Sequence, residues 1–131
     1  MLKEICIQTK SKNEFIELNS KLNEILKESG VKEGIMVVFT SHTTAGITIN
    51  ENADPDVNSD LLMKLEKICS DSEFKHSEGN SDAHLKSSLI GASENIIIKQ
   101  GELLLGTWQG IRFCEFDGPR NRKVFVKIIE G

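Results

Sequence analysis

A chain of 131 residues, 38% hydrophobic and 27% charged, has the apolar content of one compact domain over 1–131 and too much of it for a disordered chain. Its net charge of −4 lacks the basic excess that a nucleic-acid surface needs, so nucleic acid is not an expected partner. Apolar runs such as Ile96-Ile97-Ile98 are too short to cross a bilayer, and the amino-terminal MLKEICIQTK has no signal-peptide core, which points to a cytoplasmic protein without a membrane partner.

Residues 2–9 (LKEICIQT) are rich in β-branched types and predict a strand. Apolar positions Phe15, Leu18, Leu22, Ile25 and Leu26 then recur three and four apart, the stripe of one helix, with Gly30 as its left-handed stop. The continuous run 35–40 (IMVVFT) predicts a strand covered on both faces, and 46–50 (GITIN) a second, shorter one. Asp54-Pro55 starts a helix, with Asp as N-cap and Pro at the first position, where a missing N–H does no harm. Val57, Leu61, Leu65 and Ile68 carry that helix to about Cys69. A polar stretch over 71–82 leads to a short helix over 82–90 that Gly91 stops. The rest reads as β structure: 94–99, a tight turn at Gln100-Gly101, 102–107, 110–116, a turn at Asp117-Gly118-Pro119, and 122–129. Such turn residues between apolar runs predict antiparallel hairpins. The fold class is therefore α+β, a mixed, mostly antiparallel sheet with helices packed on one side. Cys6, Cys69 and Cys114 are widely spaced and form no CxxC pair. They predict inert core or semi-buried thiols rather than a disulfide framework or a Cys zinc site.

Three histidines are the first candidates for chemistry: His42 just after the apolar strand, His76 in the polar stretch, and His84 in the first turn of the short helix. Strand ends and helix starts are rigid platforms beside loops, and neutral imidazole is the commonest metal ligand. Three such donors and a water would make an open zinc site, although the spacing matches no short-range metal signature. Asn50-Glu51-Asn52-Ala53-Asp54 gathers hard oxygen donors. Asp54 is accounted for as a cap. Glu51 and Asn52 read equally as solvated loop residues or as groups that orient an imidazole, act as base or hold magnesium through water. Glu78, Gly79, Asn80 and Ser81 precede a helix whose free N–H groups could receive an anion, but an ordinary cap by Asn80 or Ser81 explains them as well. Trp108 and Gln109, between Gly106 and Gly110, could floor a pocket; a core or subunit-interface anchor is the plainer reading of the Trp. Arg112, Arg120 and Arg122 could clamp a phosphate, or simply pair with Glu115 and Asp117 across a hairpin.

Read in order, several of these strings resemble the YjbQ-like family, also labelled the secondary thiamine-phosphate synthase family. The carrying residues are His42-Thr43-Thr44, Ile47 through Val57, His76 with Glu78-Gly79, Ala83-His84 with Lys86-Ser87-Ser88-Leu89, Leu105 through Gly110, and Glu115 through Arg120. They cover nearly the whole chain. Many members have a longer acidic segment with a Pro before the Ala-His pair, where this chain has the shorter Gly79-Asn80-Ser81-Asp82.

The resemblance implies an α+β homotrimer with the His and carboxylate motifs in one cleft. That cleft would hold a divalent metal, zinc or magnesium, or a small phosphate-bearing molecule. His42, His76 and His84 would be ligands, Glu51, Glu78 and Asp82 acid–base or supporting carboxylates, and Asn52, Gly79, Asn80, Trp108, Gln109, Arg112 and Arg120 ligand-binding. The implied reaction joins a pyrimidine diphosphate to a thiazole phosphate with loss of pyrophosphate, a metal-assisted transfer. A non-catalytic trimeric module for a small anion or metal is the alternative. A third reading is a structural trimer whose polar motifs are subunit contacts.

Overall fold

The computed structural model of the chain describes residues 1–70, 74–76 and 79–131. Its elements run β1 (Leu2–Gln8), β2 (Glu14–Glu17), α1 (Asn19–Ser29), β3 (Gly34–Phe39), β4 (Ala45–Glu51), α2 (Pro55–Cys69), α3 (Ser81–Ile90), β5 (Ser93–Lys99), β6 (Glu102–Leu103), β7 (Gln109–Glu115) and β8 (Asn121–Glu130). The class is α+β, but the strands form two sheets rather than one. Five strands pair in the order β1-β8-β3-β5-β6 and three in the order β2-β7-β4. Every pairing among the described residues is antiparallel, so the expected mixed character is absent.

The main core lies between the sheets. Met36, Val38, Ile96, Val124 and Val126 point into it from the larger sheet, Ile47, Ile111 and Phe113 from the smaller, and Leu18, Leu22 and Leu26 from α1 and the residue before it. A second cluster, with Ala83, Cys114 and Phe116 at its centre, packs against Leu65 of α2 and Ile90 of α3. The strand covered on both faces is therefore β7, whose residues Gly110 through Glu115 are all buried. Strand β3 is covered on one face only. Its Ile35 aligns with Ile97 of β5 and Ile129 of β8, and all three are exposed on the outer face of the five-stranded sheet.

Local signals held where the structure is local. Asp54 accepts a hydrogen bond from the Asp56 amide at 2.9 Å and Pro55 opens α2. Gln100 and Gly101, with φ of 53° and 78°, make the β5–β6 turn. Helix α1 begins later than its apolar stripe, because Phe15 belongs to β2, opposite Cys114. A spacing of three served both states: Phe15 joins the second cluster and Leu18 the first. The two later hairpins do not form. After Leu103 the chain leaves the larger sheet, and 109–115 enters the smaller one. Asp117-Gly118-Pro119 is then a crossing between sheets. Its Gly118 cannot carry a side chain, since a Cβ there would lie 2.2 Å from the Ser11 carbonyl oxygen. Cys69 and Cys114 are buried free thiols, as expected, whereas Cys6 points out from β1 and is exposed.

Candidate functional site

The crossing from β7 to β8, the segment after β3 and the start of α3 meet around a polar cleft of about 380 Å³. One wall is built on strand ends. Glu115, the last residue of β7, is fully buried and receives Arg122 from β8, whose Nε lies 2.8 Å from Oε1 and whose Nη2 bonds Oε2. Thr9 donates to the same carboxylate at 2.7 Å and the Asp117 amide at 3.0 Å. Arg122 Nη2 also donates to Thr44 Oγ1 at 2.9 Å. Burial alone would raise the Glu115 carboxyl, but the bonds from Arg122, the Asp117 amide and Thr9 outweigh it and hold it below the ordinary carboxylate range.

His42 completes this wall. Its Nε2 accepts the Lys123 backbone N–H at 3.0 Å. Burial, and next the Arg122 charge, lowers the pKa of the ring below its ordinary value. A neutral ring whose Nε2 lone pair is engaged carries its proton on Nδ1, so His42 is set as a hydrogen-bond donor.

The second wall comes from α3. His84 is half-buried on the helix, and the exposed His76 ring stands edge-on to it, centroids 5.5 Å apart. Asn80 occupies the N-cap position without capping the helix. Its Nδ2 donates instead to Asp117 Oδ2 at 2.9 Å. Arg120 Nη2 donates to that same oxygen, also at 2.9 Å, and the Arg120 side chain is about half exposed.

Beneath this wall Lys86 is buried on α3, bonded to Glu66 of α2 and, at 3.1 Å, to Asn13 Oδ1. Asp82 accepts from Lys12 at 2.9 Å. Burial would raise the Asp82 carboxyl, but Lys12, the Ala83 amide and Lys86 hold it below its ordinary value.

Of the residues singled out from the sequence, His42, His76, Asn80, His84 and Arg120 line this cleft. Asp82 lies in the ion-pair network behind the α3 wall. Gly79 is exposed next to Asn80, with φ of 81°, and does not line the cleft. Glu78 lies outside the described residues. Glu51, Asn52, Trp108 and Gln109 sit together elsewhere: Glu51 pairs with Gln109, and the Asn52 amide donates to the Trp108 carbonyl at 3.0 Å. The cleft end of β4 is Ala45, opposite Glu115, and Glu51 is six residues along, about 20 Å away at the rise of a strand. Trp108, 62% exposed, is neither a core anchor nor the floor of this cleft. Arg112 is buried in β7, opposite Glu17 and Thr48, and does not line the cleft. Arg122, weighed from the sequence with Arg112 and Arg120 as a phosphate clamp or a partner of Glu115 and Asp117, lines the cleft as well but is committed to Glu115 and Thr44, whereas Thr44 and Asp117 were not picked out as site residues. The signal was the run of opposite charges from Glu115 to Arg122, and reading it as a hairpin hid its place at a crossing.

A metal fits this arrangement poorly. Among the described residues no three His, Cys, Asp or Glu side chains come together in a metal-holding group. His42 would have to surrender its bond from the Lys123 amide to become a ligand.

A family model described as UPF0047 protein YjbQ-like matches residues 3–131. UPF0047 protein YugU of Bacillus subtilis is 47% identical, over 98% of this chain and 99% of that protein. UPF0047 protein MJ1081 of Methanocaldococcus jannaschii is 53% identical, over 98% and 94%. Among solved structures, a YjbQ/UPF0047 family protein of Clostridium acetobutylicum superposes with a TM-score of 0.95 at 56% identity, over 97% of this chain and 99% of that one. A YbjQ-like protein of unknown function from Sulfolobus solfataricus gives 0.96 at 31% identity, over 100% and 97%.

Proposed function

The chain belongs to the YjbQ-like UPF0047 family, and we propose that its polar cleft binds a small phosphate-bearing molecule as an anion rather than through a metal. The observation that carries this reading is the fixed donor state of His42, with Nε2 committed to the Lys123 amide. A ring held that way recognises an acceptor oxygen. The half-exposed Arg120 guanidinium supplies the charge, and Thr43, His76, Asn80 and His84 border the same space. Should the cleft also catalyse the transfer that the family resemblance implies, these donors would meet the negative charge growing on a departing pyrophosphate. The protein would work as a homotrimer, with copies packed through the exposed apolar row of Ile35, Ile97 and Ile129.

Calorimetric titration with inorganic phosphate and pyrophosphate tests the reading. Saturable binding is expected, weakened about tenfold or more in Arg120→Ala, in line with a charged hydrogen bond. No heat from either anion sinks it. So does stoichiometric zinc in protein purified without chelator, if that zinc is lost in His84→Ala. Light scattering on the eluting protein reads the assembly: a trimer is expected, reduced to monomers by Ile35→Asp, and a monomeric parent chain refutes that part.

A further inference from the structure

Away from the cleft, Arg112 is a buried cation without a counterpart. It stands on β7 between Glu17 of β2 and Thr48 of β4, 4% exposed, and its Nη1 is enclosed with no hydrogen-bond partner. Among the described residues it makes no hydrogen bond and no ion pair. Arg122, also 4% exposed, shows the usual condition, bonded to Glu115 and Thr44. A charge taken out of water is costly unless something pairs with it. Glu17 lies opposite in register, but it is exposed and forms no ion pair with Arg112.

Strand alternation places the side chain. Ile111 and Phe113 face the main core, so Arg112 shares the other face of β7 with Cys114, whose cluster packs against Leu65 of α2. Asn58 lies seven positions before Leu65, on the same side of that helix, and its Oδ1 is likewise enclosed without a donor. Two polar groups that lack partners thus border the layer between α2 and the smaller sheet. Turned over, the Asn58 amide would offer Nδ2 from the enclosed position as a second donor. Neither residue lines the polar cleft.

We propose that Arg112 holds a small planar oxyanion of the carboxylate class, of the size of formate, in the layer between α2 and the smaller sheet. A guanidinium receives such a group through two parallel hydrogen bonds. Enclosure this complete selects an anion of a few atoms over a large organic ligand. The site stands independently of the phosphate reading of the cleft.

Thermal unfolding of the full chain in rising sodium formate, at an ionic strength held constant with sodium chloride, tests the site. A saturable rise in the midpoint is expected, about 4 °C at tenfold excess over the dissociation constant, and equally in Arg120→Ala, whose cleft is impaired. Arg112→Leu is expected to fold and to show no formate-dependent rise. Arg112→Gln, which keeps hydrogen-bonding groups without the charge, is expected to behave in the same way. Glu17→Gln is expected to move the midpoint by less than about 2 °C, as exposed substitutions do. No rise in the parent chain, or a rise that survives in either Arg112 variant, overturns the inference. So does a fall of several degrees in Glu17→Gln, which makes Glu17 the partner of Arg112 in solution.

Discussion

The two walls of the cleft are held by different means. On the strand side, Glu115 and Arg122 are both buried and satisfy each other, with Thr9, Thr44 and the Asp117 amide taking up the remaining bonds. On the helix side, α3 is tied down by Lys86 and Asp82, but their partners Glu66 and Lys12 are about half exposed. A buried pair that loses one member strands the other in a place water cannot reach. A pair with one wet member leaves the survivor within reach of solvent or of a second partner. The strand wall is thus a rigid frame for His42, whereas the helix wall is anchored more forgivingly.

The sharpest way to break this contrast is to remove one carboxylate from each wall. Glu115→Ala is expected to lose about 3–5 kcal/mol of unfolding free energy, because Arg122 is left buried and uncompensated. Asp82→Ala is expected to lose about 1–3 kcal/mol, because Lys86 keeps Glu66 and Asn13. Urea unfolding of both variants reads the difference, and equal losses would show that the two walls are anchored alike.

Acid sharpens the same contrast. His42 is held below its ordinary 6.5 by burial and by Arg122, so as pH falls the unfolded chain binds a proton before the folded one does. Stability is full above about pH 6.5 and declines below it until the folded ring protonates too. Glu115 and Asp82 lie below their ordinary values of 4.5 and 3.8. Their stabilisation is present above those values and is lost as pH falls through the folded ones. Unfolding midpoints against pH should therefore decline in two stages, and His42→Asn should flatten only the upper one. An unchanged upper stage in that variant would remove His42 from the account.

The smallest effect is expected at Arg120, whose pair with Asp117 is open to water. Arg120→Ala should shift the unfolding free energy by less than about 1 kcal/mol while it weakens anion binding. A large loss of stability would make Arg120 part of the frame instead.

What the sequence revealed follows the range of the interactions. The start of α2, the end of α3 at Gly91 and the Gln100-Gly101 turn depend on a few adjacent residues, and each was legible. Strand partnership was not. Both 35–40 and 110–116 read as strands, the first as the apolar run, but nothing local decides which is buried twice. That depends on β7 lying between β2 and β4 with α2 and α3 behind it. The same limit applied to the site. His42, Asn80, His84 and Arg120 sit at element ends that local signals locate well. Glu51 is only nine positions from His42, but the intervening strand carries it to the opposite end of the small sheet. Arg122 was visible as a charge, but its burial against Thr44, seventy-eight positions away, was not.

One oxygen of Asp117 has two claimants, Arg120 and Asn80. The chain thus supplies its own rival for the guanidinium, a tethered carboxylate with which the proposed anion would have to compete. Such self-competition would lower the strength of capture and quicken release. The displaced carboxylate keeps its hold on Asn80, so the helix start would remain latched while the visitor comes and goes.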